Sequence, residues 1–138
     1  MVIHLGDLSA GVKGRHDELF EMVNSLNGNR ILIRGNHDHY KMSDYINKMN
    51  FESVYDYLIL DDILFTHYPL EINKWMKDSE IKNINFLNDL YIKNNLKYVV
   101  HGHTHNRNID LDNHYNCSVE QINYTPILLE KLIKNKEK

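Results

Sequence analysis

Four short apolar runs in this chain each break into a polar cluster, and this restricts the fold more than any other feature. Val2 to Leu5 precedes Gly6-Asp7, Arg30 to Arg34 precedes Gly35-Asn36-His37-Asp38, Ile63 to Thr66 precedes His67, and Lys97 to Val100 leads through His101 to Gly102-His103-Thr104-His105. β-Branched and apolar stretches of this length read as buried strands. A glycine at the break lets the chain turn sharply and aim the next side chain into a shared space, because it carries no Cβ. Helical spacing fills the intervals. Leu19, Phe20, Val23 and Leu26 share one face of a helix over 16–26 that stops near Gly28. Met42, Tyr45, Ile46 and Met49 predict a short second helix, and Ile81, Ile84, Leu87 and Tyr91 a longer one over 80–94. Val54 to Leu60 and Ile63 to Thr66 read as two strands joined in a hairpin at Asp61-Asp62. Beyond Ile109 the chain is expected to be strand-rich, with a closing helix over 127–133. Alternating strands and helices, with no repeat and no linker, predict one α/β domain over residues 1–138. In open sheets of this class, ligands bind beyond the carboxyl ends of the strands, which is where the polar clusters fall.

The polar clusters offer a carboxylate, an amide oxygen and several imidazoles. The chain has nine histidines and a single cysteine, so mixed nitrogen and oxygen ligation without thiolate is the available metal chemistry. That donor set suits Mn²⁺, Fe, Zn²⁺ or Ni²⁺ better than Ca²⁺ or a cysteine-rich structural zinc site. Cys117 has no partner for an intrachain disulfide. A net charge of −3 gives no global positive field, so general nucleic-acid binding is not expected. No apolar run approaches the ~20 residues that span a bilayer, and the opening Met-Val-Ile-His-Leu-Gly-Asp has neither the basic nor the apolar region of a signal peptide. The expected location is cytoplasmic, away from any membrane.

The order Gly-Asp, Gly-Asn-His-Asp, a lone His, then Gly-His-Thr-His, in the settings ILIRGNHDHY, LFTHYPL and YVVHGHTHN, resembles the calcineurin-like metallophosphoesterase family, in its small phage and bacterial form. The resemblance runs from about residue 2 to residue 126. It implies an α/β sandwich of β-sheets flanked by helices. It also implies that Asp7 bridges two metals, that Asn36, His67 and His103 complete one site, and that His105 serves the other. His37 is implied as the acid that protonates the leaving group. Asp38 is grouped with His37 at the catalytic centre, where it is expected to orient that histidine or cap the following helix. The implied function is hydrolysis of a phosphodiester or phosphomonoester by a metal-bound hydroxide, with Mn²⁺ the first-choice metal. A phosphoester is the implied partner, a nucleotide among the candidates.

Family members normally begin with a strand ending in Asp-x-His, which supplies two ligands to the second metal. This chain opens directly on the strand that carries Asp7, so the first strand is expected to be missing. One metal site is then well formed and the other incomplete, with an unpaired sheet edge that a homo-oligomer or another partner would cover. The alternative function is a degenerate module that binds a metal or nucleotide with little or no turnover. Other residues carry plainer expectations. Arg107 is a candidate for holding the substrate phosphate. His4 and His101 are expected to pack within or behind the strands, and His16, His39 and His114 to lie at the surface. Trp75 and Met76 are expected to line a pocket or cover the core.

Overall fold

The computed structural model describes residues 1–9, 14–74, 76–107, 109 and 111–134. The elements follow in the order β1 (Val2–His4), α1 (His16–Asn24), β2 (Arg30–Ile33), α2 (Met42–Asn47), β3 (Ser53–Tyr55), β4 (Tyr57–Leu60), β5 (Ile63–Thr66), α3 (Asp78–Lys93), β6 (Tyr98–His101), β7 (His114–Asn116) and α4 (Leu129–Lys134). They build two sheets, one in the order β1-β2-β3 and wholly parallel, the other β4-β5-β6-β7. In the second sheet β4 and β5 form an antiparallel hairpin, and β5, β6 and β7 run parallel.

The alternation of side chains along each strand assigns the layers. On β2, Leu32 joins Leu19, Val23, Tyr45 and Met49 beneath α1 and α2, while Ile33 faces the other way. On β5, Leu64 packs with Ile84 and Leu87 of α3, while Ile63 and Phe65 turn inward. On β6, Val99 goes to α3 and Val100 inward. Ile33, Ile63, Phe65, Val100 and Tyr115 therefore fill the space between the sheets. The result is a helix–sheet–sheet–helix sandwich, as the resemblance implied.

Arg30 ties the outer layer together. Its guanidinium is buried and donates to the carbonyls of Val23 at 2.9 Å, Leu26, and Met49 at 3.1 Å, so one cation serves the carbonyl ends of both α1 and α2. Carbonyls at helix ends lack partners within the helix and carry partial negative charge, which a buried guanidinium offsets.

Three expectations need correction. The run over 54–60 is not one strand: it divides at Asp56 into β3 and β4, which belong to different sheets. A single charged residue between two apolar stretches does not register a change of sheet, because it is equally compatible with one strand that has an exposed position. The segment beyond Ile109 is not strand-rich. Among the described residues it holds β7 alone, followed by turns up to α4. His114 is buried rather than superficial, since it stands in β7 with its ring 6.3 Å from those of His101 and Tyr91. His101 is buried and His16 and His39 are exposed, as expected. Met76 packs against the α3 cluster, and Trp75 lies outside the described residues. Strand β1 stands at the end of its sheet, paired with β2 alone among the described residues. No described helix is long and apolar enough to cross a membrane.

Candidate metal centre

The loops after β1, β2, β5 and β6 meet at one edge of the sandwich. His67 lies at the middle of the meeting point, immediately after β5, and is almost wholly buried. Its Nδ1 lies 2.7 Å from the carbonyl oxygen of Leu5. A carbonyl only accepts, so that nitrogen carries the proton and Nε2 presents its lone pair to the site. Around Nε2 stand Asn36 Oδ1 at 3.0 Å, His103 Nδ1 at 3.0 Å and Asp7 Oδ2 at 3.4 Å. Asp7, His67 and His103 each bring a ligand atom within 4.8 Å of the others.

Three of these atoms accept, and His103 Nδ1 joins them in its Nε2–H tautomer. One proton shared among them satisfies one contact and leaves the others facing lone pair to lone pair. A divalent cation satisfies the whole set, and two imidazoles, a carboxylate and an amide oxygen are a donor set for a transition metal. The protonation states agree. Partial burial raises the pKa of Asp7, but the neighbouring His67 ring and the hydrogen bond from the His37 backbone N–H outweigh it, and the carboxyl falls to about 2. Burial lowers the pKa of His103, assisted by neighbouring His67, to about 4. The carboxylate is thus charged and the imidazole neutral at ordinary pH, as metal ligation requires.

The backbone is shaped for this convergence. Asp7 has φ 53° and His103 φ 66°, both in the left-handed region that costs non-glycine residues ~1 kcal/mol or more. Gly6 has φ 91°, and a Cβ there would strike the backbone of Gly35. A Cβ on Gly35 would overlap the Asp7 carboxylate and come 2.8 Å from the His67 ring. The loops therefore approach one another closely only because both positions lack side chains.

Asp38 supplies the brace. Its Oδ2 accepts from the Asp7 N–H at 2.7 Å and the Gly35 N–H at 2.8 Å, and its Oδ1 from the Leu8 N–H at 3.0 Å. It does not cap α2, whose N-cap is Lys41. On the β6 side, the Gly102 N–H donates to the His67 carbonyl at 3.1 Å, which seats the following loop beside His67. Asn116, at the end of β7, holds that loop in shape. Its amide donates to Thr104 Oγ1 and to the His105 carbonyl, each at 2.9 Å.

The remaining sequence-derived residues take other positions. His37 is exposed and donates its backbone N–H to Asp7 Oδ1 at 2.9 Å. His105 is exposed, with Nδ1 2.8 Å from Glu120 Oε1, and is not part of the cluster of Asp7, His67 and His103. Arg107 is exposed on the same loop. His4 sits behind the centre, where its Nδ1 accepts from the Gly6 N–H at 3.2 Å and burial lowers its pKa.

Two contributors escaped the sequence reading. Glu80, in the first turn of α3, places Oε1 3.9 Å from His103 Nε2, the nitrogen turned away from the cluster, and accepts from the Lys77 N–H through Oε2 at 2.8 Å. Tyr68 lays its ring 4.7 Å from that of His103, and burial together with Glu80 and Asp7 pushes its phenol up to about 12. Tyr68 follows His67 directly, which is the one hint the sequence held. Glu80 had no hint beyond an acidic residue in a first helical turn.

Comparison with known proteins places this geometry. Residues 1–107 match the calcineurin-like phosphoesterase family. A crystal structure of a protein of unknown function from Aquifex aeolicus superimposes with a TM-score of 0.74 at 26% identity, over 96% of this chain and 74% of that one. No curated protein matches the chain.

Proposed function

The chain belongs to the calcineurin-like phosphoesterase family, and on that premise we propose that it hydrolyses a phosphoester at a centre loaded with a divalent transition metal, Mn²⁺ first among the candidates. The observation that carries this reading is the convergence of four acceptor atoms, from Asp7, Asn36, His67 and His103, on one point. When bound, the metal lowers the pKa of a coordinated water and offsets charge on the phosphoryl oxygens.

The chain's own residues divide the remaining work. Asp7, Asn36, His67 and His103 hold the ion. The Nδ1–H of His67, bound to the Leu5 carbonyl, fixes the tautomer that offers Nε2. His37, exposed at the rim beside Asp7, is assigned the proton for the departing alkoxide, and Arg107 the outer phosphate oxygens. Asp38 orders the loops on which Asp7 and His37 stand. His105 is assigned to a second, weaker metal position that needs ligands beyond Asp7 and His105.

A second reading, a binding module with little turnover, draws on one observation: His105 turns to Glu120 rather than to the cluster. Titrating Mn²⁺ into the metal-depleted protein while following bis-p-nitrophenyl phosphate hydrolysis and bound metal on the same sample separates the two. Hydrolysis that rises with metal and disappears in Asp7→Ala supports the enzyme. Bound metal with no hydrolysis at any concentration favours the binding module.

A further inference from the structure

A cleft of about 460 Å³ opens beside the metal centre and runs outward along α3. Its inner end is made by Gly35, Asp38 and Tyr68, all of which touch or brace the centre. Its outer end is aromatic: the rings of Tyr57 and Phe86 lie 5.7 Å apart, tilted at 59°. Asn83 stands between, on the helix face that starts at Glu80 and continues to Phe86 at three-residue spacing. Ile84 and Leu87, one position further along, bury themselves in the core, whereas Phe86 keeps half its surface open. This face of α3 is therefore spent on the cleft, not on packing.

The charges lining the cleft are already neutralised. Arg34 donates to Asp56 Oδ1 through Nε at 3.0 Å and Nη2 at 2.6 Å, and the Asp38 carboxylate is taken up by three backbone N–H groups. No uncompensated cation in the cleft invites a second phosphate. Two aromatic rings offer π faces, and an amide offers a donor and an acceptor in one plane. That combination fits a flat, uncharged heterocycle with hydrogen-bonding edges. We propose that this cleft is a subsite for a nucleobase carried on one arm of the phosphoester, held against Tyr57 and Phe86 and addressed along its edge by Asn83. The proposal rests on the phosphoester reading above, whose metal centre would hold the phosphate at the inner end.

Isothermal titration of the Mn²⁺-loaded full chain with AMP, ribose 5-phosphate and inorganic phosphate tests it, since the first two ligands differ only by the base. AMP should bind about ten-fold more tightly than ribose 5-phosphate, the low end of what base stacking on aromatic side chains gives. In Phe86→Ala that ratio should fall towards one, and in Asn83→Ala it should fall part of the way. Taking the ratio within each variant cancels any general loss of folded protein. Equal binding of AMP and ribose 5-phosphate by the unaltered chain overturns the subsite and leaves the metal centre standing. So does a ratio that survives both substitutions. Failure of all three ligands to bind overturns the phosphoester reading and this inference with it.

Discussion

The carboxylate of Asp38 accepts a 2.7 Å hydrogen bond from the backbone N–H of Asp7, a residue 31 positions earlier in the chain. That contact joins the loop after β1, which carries Asp7, to the loop after β2, which carries Asn36. The same carboxylate takes two further N–H groups, so the charge of Asp38 organises the centre without reaching the cluster itself.

Asp38→Asn removes that organisation at almost no change in size. An amide offers one acceptor oxygen where the carboxylate offers two, and its NH₂ would face N–H donors. At least one donor loses its partner, at a cost of ~1–3 kcal/mol. The metal-free variant should show that loss in a urea melt, and Mn²⁺ affinity should drop by about ten-fold or more, in line with outer-shell substitutions at metal sites. Equal melts and equal affinity would remove Asp38 from the account of the site.

Glu80 allows a cleaner separation of framework from electrostatics. Its Oε2 caps α3 through the Lys77 N–H, and its Oε1 stands 3.9 Å from His103 Nε2. Glu80→Gln keeps an acceptor for the cap and deletes the charge. We expect stability to change by no more than about 0.5 kcal/mol, the usual range for a substitution that creates no cavity or orphaned group. Mn²⁺ affinity should fall about ten-fold, because the carboxylate favours the Nε2–H tautomer and makes Nδ1 a better ligand. Glu80→Ala should show the same loss of affinity plus the loss of the cap, ~1 kcal/mol. Calorimetric Mn²⁺ titrations of the two variants check this; unaltered affinity in Glu80→Gln would confine the residue to capping.

What the sequence made legible, and what it did not, follows from where the information sits. Asp7, Asn36, His67 and His103 each lie within three residues of a strand end, so the strand directions alone bring them to one edge. Gly6 and Gly35 marked the turns because no other residue fits there. Glu80 and Phe86 reach the centre and its cleft only because α3 docks in one particular orientation on β5 and β6, and no local pattern encodes docking. Asn116 braces the loop around Thr104 through a strand that the sequence reading folded into a broader strand-rich segment. Asp56, where the chain leaves one sheet for the other, is one charged residue between two apolar stretches, a pattern that a single strand with one exposed position also gives.

Cys117 should be chemically silent in the folded chain. Burial pushes its thiol up to about 12, and only the thiolate reacts with disulfide reagents. Near pH 8 the native thiolate fraction is then about 10⁻⁴, against about a tenth for an unperturbed cysteine that titrates near 9. Ellman's reagent should therefore label the folded protein at least about a hundred-fold more slowly than the urea-unfolded chain. The same shift has a consequence for stability. The folded chain keeps a proton that the unfolded chain releases from about 9 upward, so stability should fall as pH rises from about 9 towards about 12. Rapid labelling of the native protein would show that the thiol is accessible and unshifted.

The two histidines of the loop after β6 should behave differently towards metal, although they stand two residues apart. His103 places Nδ1 3.0 Å from His67 Nε2, and its imidazole is held neutral, with a pKa of about 4, by burial and by His67. Replacing it with alanine removes one nitrogen from the acceptor cluster. His105 instead pairs with Glu120 at 2.8 Å on the exposed side of the loop. Its removal leaves Asp7, Asn36, His67 and His103 in place. At about one equivalent of Mn²⁺, His103→Ala should retain little metal through desalting, while His105→Ala should retain nearly as much as the unaltered chain. At a large excess of Mn²⁺ the order changes. In the proposed scheme the second position depends on His105 and fills by mass action, so phosphodiester hydrolysis should keep rising with Mn²⁺ in the unaltered chain and level off early in His105→Ala. Metal analysis after desalting, paired with hydrolysis across the titration, reads both effects. Equal metal loss in the two variants at one equivalent would mean that His105 swings into the first site on binding, and that the cluster drawn from Asp7, Asn36, His67 and His103 is short of one ligand.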